Sequence, residues 1–437
     1  MSDFTRREAA AAAFTIVPRR VLGGTGYRAP SDKLNIAGVG VGGMGANYLS
    51  NMETENIVAL CDVDQVVAAK TFSKYPDARR YRDFRAMLEQ EKGIDAVVIG
   101  TPDHTHAVVA MAAMRLGKHV YCAKPMTRTI HEARMLARTA ADKRVATQMS
   151  VQSCASEAAC ATAEWVRSGV IGKVREVHVW SDRPIWPQAL ARPEEAVPAP
   201  ATLDWDLFLG PAPARPYDPC YHPFVWRGWL DYGTGALGDM GCHTLHVIFR
   251  ALELGSPVAV SATSSRQVRT TVENVEGRRV RRHRPAVYPE TFPDASIVTW
   301  DFPGVRVTWY DGGLKPPCSV DLRADGILFV GDKGRILSGF TGGPKLLSEA
   351  ASFTPPEKTL PRTPGHYPEW IAACKGGKPA SCEFGFGALL TETALLGVIA
   401  VRTGKRLEWD AAAGRFTNDA DANALVAPAY RSGWSLG

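Results

Sequence analysis

Two polar residues in the middle of the chain have the types and the spacing of an acid–base pair. Asp239 and His243 are four residues apart in a segment with helical periodicity, so a carboxylate can orient an imidazole on one helix face. His246 adds a third polar group nearby. A surface contact or a helix cap is the usual alternative for such a pair. The neighbouring aromatic Trp226 and Tyr232 favour the wall of a close-packed pocket.

A lysine follows the predicted strand at residues 119–122. At that position Lys124 can hydrogen-bond a substrate oxygen, and its ammonium can help a neighbouring hydroxyl to lose its proton. A cis bond to Pro125 would hold the lysine rigidly, although most X-Pro bonds are trans. An ordinary surface lysine explains the position equally well.

A glycine-rich turn follows the apolar run at residues 34–39. Its GxGxxG register lets the chain turn tightly, approach a pyrophosphate without a Cβ in the way and pack the next helix on the strand. That helix would point its free N–H groups at the anion. The alternative is an ordinary glycine-rich surface turn. The predicted dinucleotide contacts in this turn are Gly40, Gly42, Gly43, Met44 and Gly45.

An aspartate ends the second apolar run. Asp62 lies about 20 residues after the first glycine, where a carboxylate binds the ribose hydroxyls of the adenosine half. A carboxylate would repel a 2′-phosphate, and the following Val63 and Asp64 supply no arginine to receive one. The sequence therefore predicts NAD as the cofactor in preference to NADP.

Two histidines follow the predicted strand at residues 96–100. Loops at the carboxyl ends of parallel strands bind the ligand of a doubly wound sheet. His104 or His106 is therefore expected at the nicotinamide end, although a helix cap built on Asp103 or Thr105 is the alternative. The further residues predicted to contact the cofactor are Thr101, Pro102 and Lys124.

The composition is that of a soluble globular protein with two domains, because 437 residues exceed one typical core. A formal charge of +6 is mild for this length, and no basic helix face carries interleaved aromatics, so nucleic acid is not an expected partner. The basic cluster at residues 278–284 predicts a solvated hairpin or loop, with an acidic ligand as the alternative. Nine cysteines without a CxxC pair argue against a disulfide framework, and no metal site is expected.

Residues 1–30 differ from the rest of the chain. Arg6 and Arg7 precede a small apolar stretch, which is typical of a degenerate twin-arginine export signal. A periplasmic location is favoured over a cytoplasmic one, and the alternative is an unstructured or helical tail. No stretch reaches the roughly 18 apolar residues of a membrane-spanning helix.

The hydrophobic pattern changes near residue 150. In residues 31–150 short apolar runs alternate with amphipathic stretches, which predicts an α/β Rossmann domain with a doubly wound parallel sheet. Residues 151–437 predict an α+β domain with a mixed or antiparallel sheet, because several strands follow one another. Within it, residues 184–223 form a proline-rich, irregular arm. The chain is expected to close with a helix at residues 384–403.

Taken in order, these motifs resemble the Gfo/Idh/MocA family of nicotinamide-dependent oxidoreductases. The resemblance covers nearly the whole chain, including the arginine leader, Trp-Asp-Leu-Phe-Leu-Gly-Pro at residues 205–211 and Leu-Glu-Trp-Asp at residues 407–410. It implies a second domain of the glucose-fructose oxidoreductase type and a homo-oligomer. In one departure, Ala123 replaces the usual glutamate of Glu-Lys-Pro, which could change the pKa or the placement of the lysine.

The resemblance implies hydride transfer between nicotinamide and a CH–OH carbon of a carbohydrate or cyclitol. His243 would be the general base, Asp239 would orient it and Lys124 would hold the reacting oxygen. Two alternatives stay open. One is a glycosidase or lyase that uses a tightly held NAD in an oxidation, elimination and reduction cycle; the other is a non-catalytic sugar-binding or regulatory protein. Weaker substrate-contact candidates are Trp226, Arg227, Tyr232 and His246.

Overall fold

The computed structural model describes part of the chain, namely residues 32–265, 268–285, 288–317, 324–339, 341–347 and 354–436. The predicted leader, with Arg6 and Arg7, lies outside the described residues.

A parallel sheet forms the first domain. Its strands are β1 (Asn35–Val39), β2 (Asn56–Cys61), β3 (Arg79–Tyr81), β4 (Ala96–Ile99), β5 (His119–Cys122) and β6 (Thr147–Met149). Its helices are α1 (Gly43–Ser50), α2 (Gln65–Lys74), α3 (Phe84–Gln90), α4 (Asp103–Arg115) and α5 (Ile130–Lys143). The order β3-β2-β1-β4-β5-β6 is that of a Rossmann sheet, so the predicted fold of this domain is confirmed.

A mixed sheet forms the second domain. Its strands are β7 (Val174–Trp180), β8 (Ala259–Ser264), β11 (Ser296–Phe302), β12 (Val305–Tyr310), β13 (Gly326–Gly331), β14 (Gly334–Ser338), β15 (Lys345–Leu346), β16 (Leu407–Asp410) and β17 (Arg415–Phe416). The helices of this domain are α6 (Glu157–Arg167), α7 (Trp205–Leu209), α8 (Gly235–Leu252), α9 (His366–Cys374), α10 (Phe384–Thr403) and α11 (Ala420–Ala424). Strands β7 and β12 pair in parallel and the other neighbours pair antiparallel, which confirms the predicted mixed sheet.

The structure fully confirms one of two further predictions about the second domain and confirms the other in part. The basic cluster lies on β10 (Arg278–Pro285), which pairs antiparallel with β9 (Val268–Val275) as a separate hairpin, so the predicted hairpin is confirmed. The predicted helix at residues 384–403 is confirmed as α10, but it does not close the chain. After α10 the chain returns to the sheet, where Leu407 on β16 pairs with Val260 on β8.

Helix α10 packs against elements of both domains. In contrast to the expectation that no stretch of the chain is long enough, it is apolar enough by length and composition to cross a membrane, and among the described residues it is the one helix that passes this test. Most of it is buried, because it packs against α5, α8 and β8. Helix α9 also contacts the first domain, because its Trp370 packs in the core of that domain. The segment after residue 150 therefore contributes to both hydrophobic cores.

We expect Arg134→Ala to lower the free energy of unfolding by about 2 kcal/mol. Arg134 on α5 donates to both carboxylate oxygens of Glu392 on α10, at 2.6 and 2.8 Å, and the glutamate side chain is only 7% exposed. Without the arginine a buried carboxylate loses its cation. Urea unfolding measures the change. Arg138→Ala, at an exposed position of the same helix, is the matched control, and an equal loss in both variants would contradict the prediction.

Candidate active site

The glycine turn between β1 and α1 forms a cradle that only glycine can build. Gly40 has a φ of +72°, and a Cβ on Gly45 would lie 1.8 Å from the carbonyl oxygen of Gly40. A Cβ on Gly42 would lie 2.2 Å from Cγ1 of Val67, whereas nothing lies within 4 Å of the Cβ position of Gly43. Gly42 caps α1 without a side chain, which leaves the N–H groups of the first turn to an anion. The cradle therefore fits a dinucleotide pyrophosphate.

The carboxylate of Asp62 braces this cradle from the end of β2. One oxygen accepts from the N–H groups of Val41 and Gly42 at 2.8 and 3.3 Å, and the other accepts from Asp64 at 2.9 Å. Burial raises the pKa of Asp62, and these N–H groups oppose that effect. The side chain borders the cavity next to the cradle, where its contact with ribose stays a prediction.

One cavity of about 730 Å³ runs along the carboxyl ends of the strands, and its volume is in the usual range for small-molecule sites. It brings together most of the predicted site residues. Those lining it are Gly40, Gly42, Gly43, Met44, Asp62, Thr101, Pro102, His106, Lys124, Trp226, Arg227, Asp239 and His243. The predicted residues that lie outside this lining are Gly45, His104, Tyr232 and His246.

Lys124 and Asp239 form an ion pair across the cavity. The Lys124 Nζ donates to Oδ1 of Asp239 at 2.5 Å and to its backbone carbonyl at 2.6 Å. Oδ2 lies 3.5 Å from Nε of Arg183, and Oδ1 lies 3.6 Å from Nε of Arg227. Burial raises the pKa of Asp239, but Lys124 and Arg227 outweigh it and hold that pKa at about 2. Asp239 thus supplies a carboxylate to the lysine although residue 123 is alanine.

His243 lies one turn after Asp239 on α8 and lines the same cavity. Burial lowers its pKa well below the ordinary value, and the charge of Lys124 lowers it further, while Asp239 acts in the opposite direction. The imidazole is therefore neutral near pH 7. A neutral imidazole in this position can accept a proton from a bound hydroxyl.

The two predicted histidines of α4 have different surroundings. His106 lines the cavity, and its ring nitrogens face the backbone carbonyls of Thr101 at 2.8 Å and of Pro125 at 2.9 Å. His104 is buried away from the cavity, with its ring nitrogens at the carbonyls of Phe208 and Tyr232. Burial lowers the pKa of His104 to about 3. It therefore connects α4 to the proline-rich arm as a neutral imidazole. The arm is not irregular throughout, as the sequence predicts, because it contains α7.

The other two predicted residues outside the lining are also buried in the protein interior. His246 Nε2 lies 2.8 Å from the hydroxyl of Ser153. Tyr232 packs in an aromatic cluster with Phe208 and Trp205. Neither position supports a substrate contact.

Several cavity residues carry no recognisable sequence motif. They lie in the 3₁₀ turn after β6, in or directly next to the proline-rich arm, and in the loop before β13. Only the fold places them beside Lys124 and Asp239. These residues are Gln152, Arg183, Trp186, Phe224 and Asp325.

We expect Trp434→Ala to raise the Kd for NAD about fivefold. Trp434 lines the end of the cavity near Asp62, with its ring centroid 6.2 Å from that of Phe84 and under the guanidinium of Arg85. These rings are the apolar walls available to the adenosine half. Calorimetric titration with NAD measures the change, and Trp434→Phe should keep most of the affinity. An unchanged Kd in the alanine variant would contradict the prediction.

A glycine cradle on a Rossmann sheet, joined to a mixed-sheet domain that supplies Asp239 and His243, defines a class of two-domain dinucleotide-binding proteins. The family profile described as "Oxidoreductase family, NAD-binding Rossmann fold" matches residues 34–151. The profile described as "Oxidoreductase family, C-terminal alpha/beta domain" matches residues 167–282, and the two together span more than half of the chain. The chain belongs to the Gfo/Idh/MocA oxidoreductase family. This membership confirms the expected NAD-binding domain.

Three known proteins illustrate the similarity. The levoglucosan dehydrogenase of Pseudarthrobacter phenanthrenivorans is 26% identical over 43% of this chain and 40% of its own length. A glycosyl hydrolase family 109 protein of Solibacter usitatus is 31% identical over 33% of this chain and 36% of its own. The chain thus matches less than half the length of these curated relatives. The solved structure of an inositol dehydrogenase homologue of Azotobacter vinelandii, complexed with NADH and myo-inositol, superposes with a TM-score of 0.57 and 16% identity. The match covers 86% of this chain and 98% of the homologue, which shows a shared fold.

Proposed function

We propose that this protein is an NAD-dependent oxidoreductase that acts on a CH–OH group of a carbohydrate or cyclitol. The observation that carries the proposal is the meeting of Lys124, ionised Asp239 and neutral His243 in one cavity with the glycine cradle. The similarity to levoglucosan dehydrogenase supports the substrate class.

Each residue has a defined task in this reaction. NAD, when bound, supplies the hydride acceptor at the nicotinamide ring. His243 accepts the proton of the substrate hydroxyl because its imidazole is neutral. The Lys124 ammonium donates to the same oxygen and stabilises its developing negative charge in a site partly excluded from water. Asp239 holds the lysine in place through its hydrogen bond.

The decisive experiment identifies the nucleotide and follows its redox state. The purified protein is denatured, any released nucleotide is identified by mass, and NAD reduction is recorded with a panel of sugars and cyclitols. We expect NAD to bind and at least one member of the panel to reduce it. Binding of sugar with neither a change of redox state nor a released product would instead support the non-catalytic alternative.

A second candidate function is favoured by the glycosyl hydrolase family 109 relative. In this case the tightly held NAD would accept a hydride and later return it. The sugar hydroxyl would be oxidised to a ketone, the glycosidic substituent would be eliminated, water would add to the resulting double bond, and the ketone would be reduced again, which regenerates NAD. The two candidates differ in their products. Release of an aglycone without net NADH would support the hydrolase, whereas stoichiometric NADH would support the dehydrogenase.

We also propose export through a twin-arginine leader and assembly into a homo-oligomer. The sequence Arg6-Arg7 before a small apolar stretch supports export, and the family resemblance supports the oligomer. Cell fractionation after Arg6→Lys and Arg7→Lys substitution tests the first proposal. Light scattering of the purified protein tests the second.

A further inference from the structure

Two arginines at the substrate end of the cavity lack a good hydrogen bond to a carboxylate. Lys124, Arg183 and Arg227 lie around the carboxylate of Asp239. Lys124 lies at hydrogen-bond distance, but the Nε atoms of the two arginines stand 3.5 and 3.6 Å away, too far for a good N–H···O bond. Asp325 also borders the cavity, and its buried Oδ1 accepts no hydrogen bond among the described residues. Asp103 lines the same cavity, so three cations face three carboxylates, and Arg183 and Arg227 are the two cations without a good hydrogen bond to one of them.

Aromatic rings hold one of the two arginines in place. The guanidinium of Arg227 lies 4.2 Å from the ring centroid of Trp226 and 5.1 Å from that of Phe224. Stacking fixes the plane of a guanidinium but leaves the N–H donors on its edge unused. The side chains of Arg183 and Arg227 remain 31% and 21% exposed, so a ligand can reach both.

We propose that the substrate carries a carboxylate, as in a sugar acid or a glycoside of one, and that Arg183 and Arg227 bind it. This inference rests on the proposed function. A guanidinium presents donors in a planar fork that matches a carboxylate, and a site partly screened from water strengthens the attraction. Lys124 and His243 then remain available to contact the reacting hydroxyl. The Oδ1 atom of Asp325, which has no hydrogen-bond donor among the described residues, accepts a hydrogen bond from another sugar hydroxyl.

The test compares neutral and acidic sugars of the same configuration, namely glucose with glucuronate and galactose with galacturonate. The NAD-loaded protein is assayed for nucleotide reduction, and calorimetry measures the affinity of each sugar. We expect kcat/KM for the acid to exceed that for its neutral partner by about tenfold or more, and Arg183→Gln to remove about a tenfold preference. Arg306→Gln is the matched control, because Arg306 lies on β12 outside the cavity lining and pairs with Asp301. It should leave the preference for the acidic sugar unchanged.

The other possible results of this experiment overturn either the carboxylate proposal alone or both proposals. A preference for the neutral sugars, or an equal loss on both sugars in Arg183→Gln, would overturn the carboxylate proposal and leave the oxidoreductase proposal standing. Glucose 6-phosphate is assayed beside them, and a preference for it over glucuronate would also overturn the carboxylate proposal. No binding and no nucleotide reduction with any of the sugars would overturn both proposals.

Discussion

Replacement of His243 by alanine is expected to lower kcat for sugar oxidation by about 10²- to 10⁴-fold. The imidazole lines the cavity beside Lys124 and Asp239, and burial keeps it neutral, so its loss leaves the substrate hydroxyl without a base. NAD affinity should change little, because the glycine cradle lies on the other domain. Steady-state NADH formation and calorimetric titration with NAD measure the two effects. Turnover within a fewfold of the parent enzyme, with NAD still bound, would show that His243 is not the base.

The pH profile supplies a second readout of the same residue. The pKa of His243 is depressed, so the base form exists above that pKa and is lost as the pH falls through it. We therefore expect kcat/KM for oxidation to hold as the pH is lowered through 6.5, the ordinary value for histidine, and to fall only in more acidic solution. If kcat/KM already fell to half its maximum at pH 6.5 or above, the assignment of His243 as the general base would be contradicted. His131→Ala, exposed on α5, is the matched control.

Much of the first domain is predictable because local chemistry determines it. Tight glycine turns, buried apolar runs and amphipathic helices follow one another between residues 34 and 149, and each is visible in the sequence. Strand β3 escapes detection because its residues, Arg-Arg-Tyr, lack an apolar run and are held by the neighbouring β2. Strand β16 escapes for a similar reason, because its four residues owe their conformation to pairing with β8.

The residues of the candidate site show the same difference between what local sequence determines and what long-range packing determines. Asp239 and His243 are found from helical spacing, and Lys124 from its place after a strand. His104 and His106 are two residues apart on α4, so they cannot share a helix face, and only the structure tells which one meets the cavity. Arg183 lies in the irregular segment after β7, where no periodicity exists. Its role depends on long-range packing, which is why the sequence gives no sign of it.

Lys124→Met is expected to lower kcat by about 10²- to 10³-fold, the usual loss when a donor to a developing oxyanion is removed. It should also move the acidic limb of the pH profile upward. The charge of Lys124 depresses the pKa of His243, so removal of that charge raises the pKa and the base form is lost at a higher pH. A lysine that only supports the local structure would not shift the limb.

Two further variants separate charge from shape in this experiment. Lys124→Arg keeps a cation beside Asp239, so the limb should stay near its original position even if kcat falls through altered geometry. Lys118→Met, at a half-buried lysine just before β5 that lies outside the cavity lining, should change neither kcat nor the profile. If Lys124→Met lowered kcat without moving the limb, the electrostatic link between the lysine and His243 would be wrong. The lysine would then act on the substrate oxygen alone.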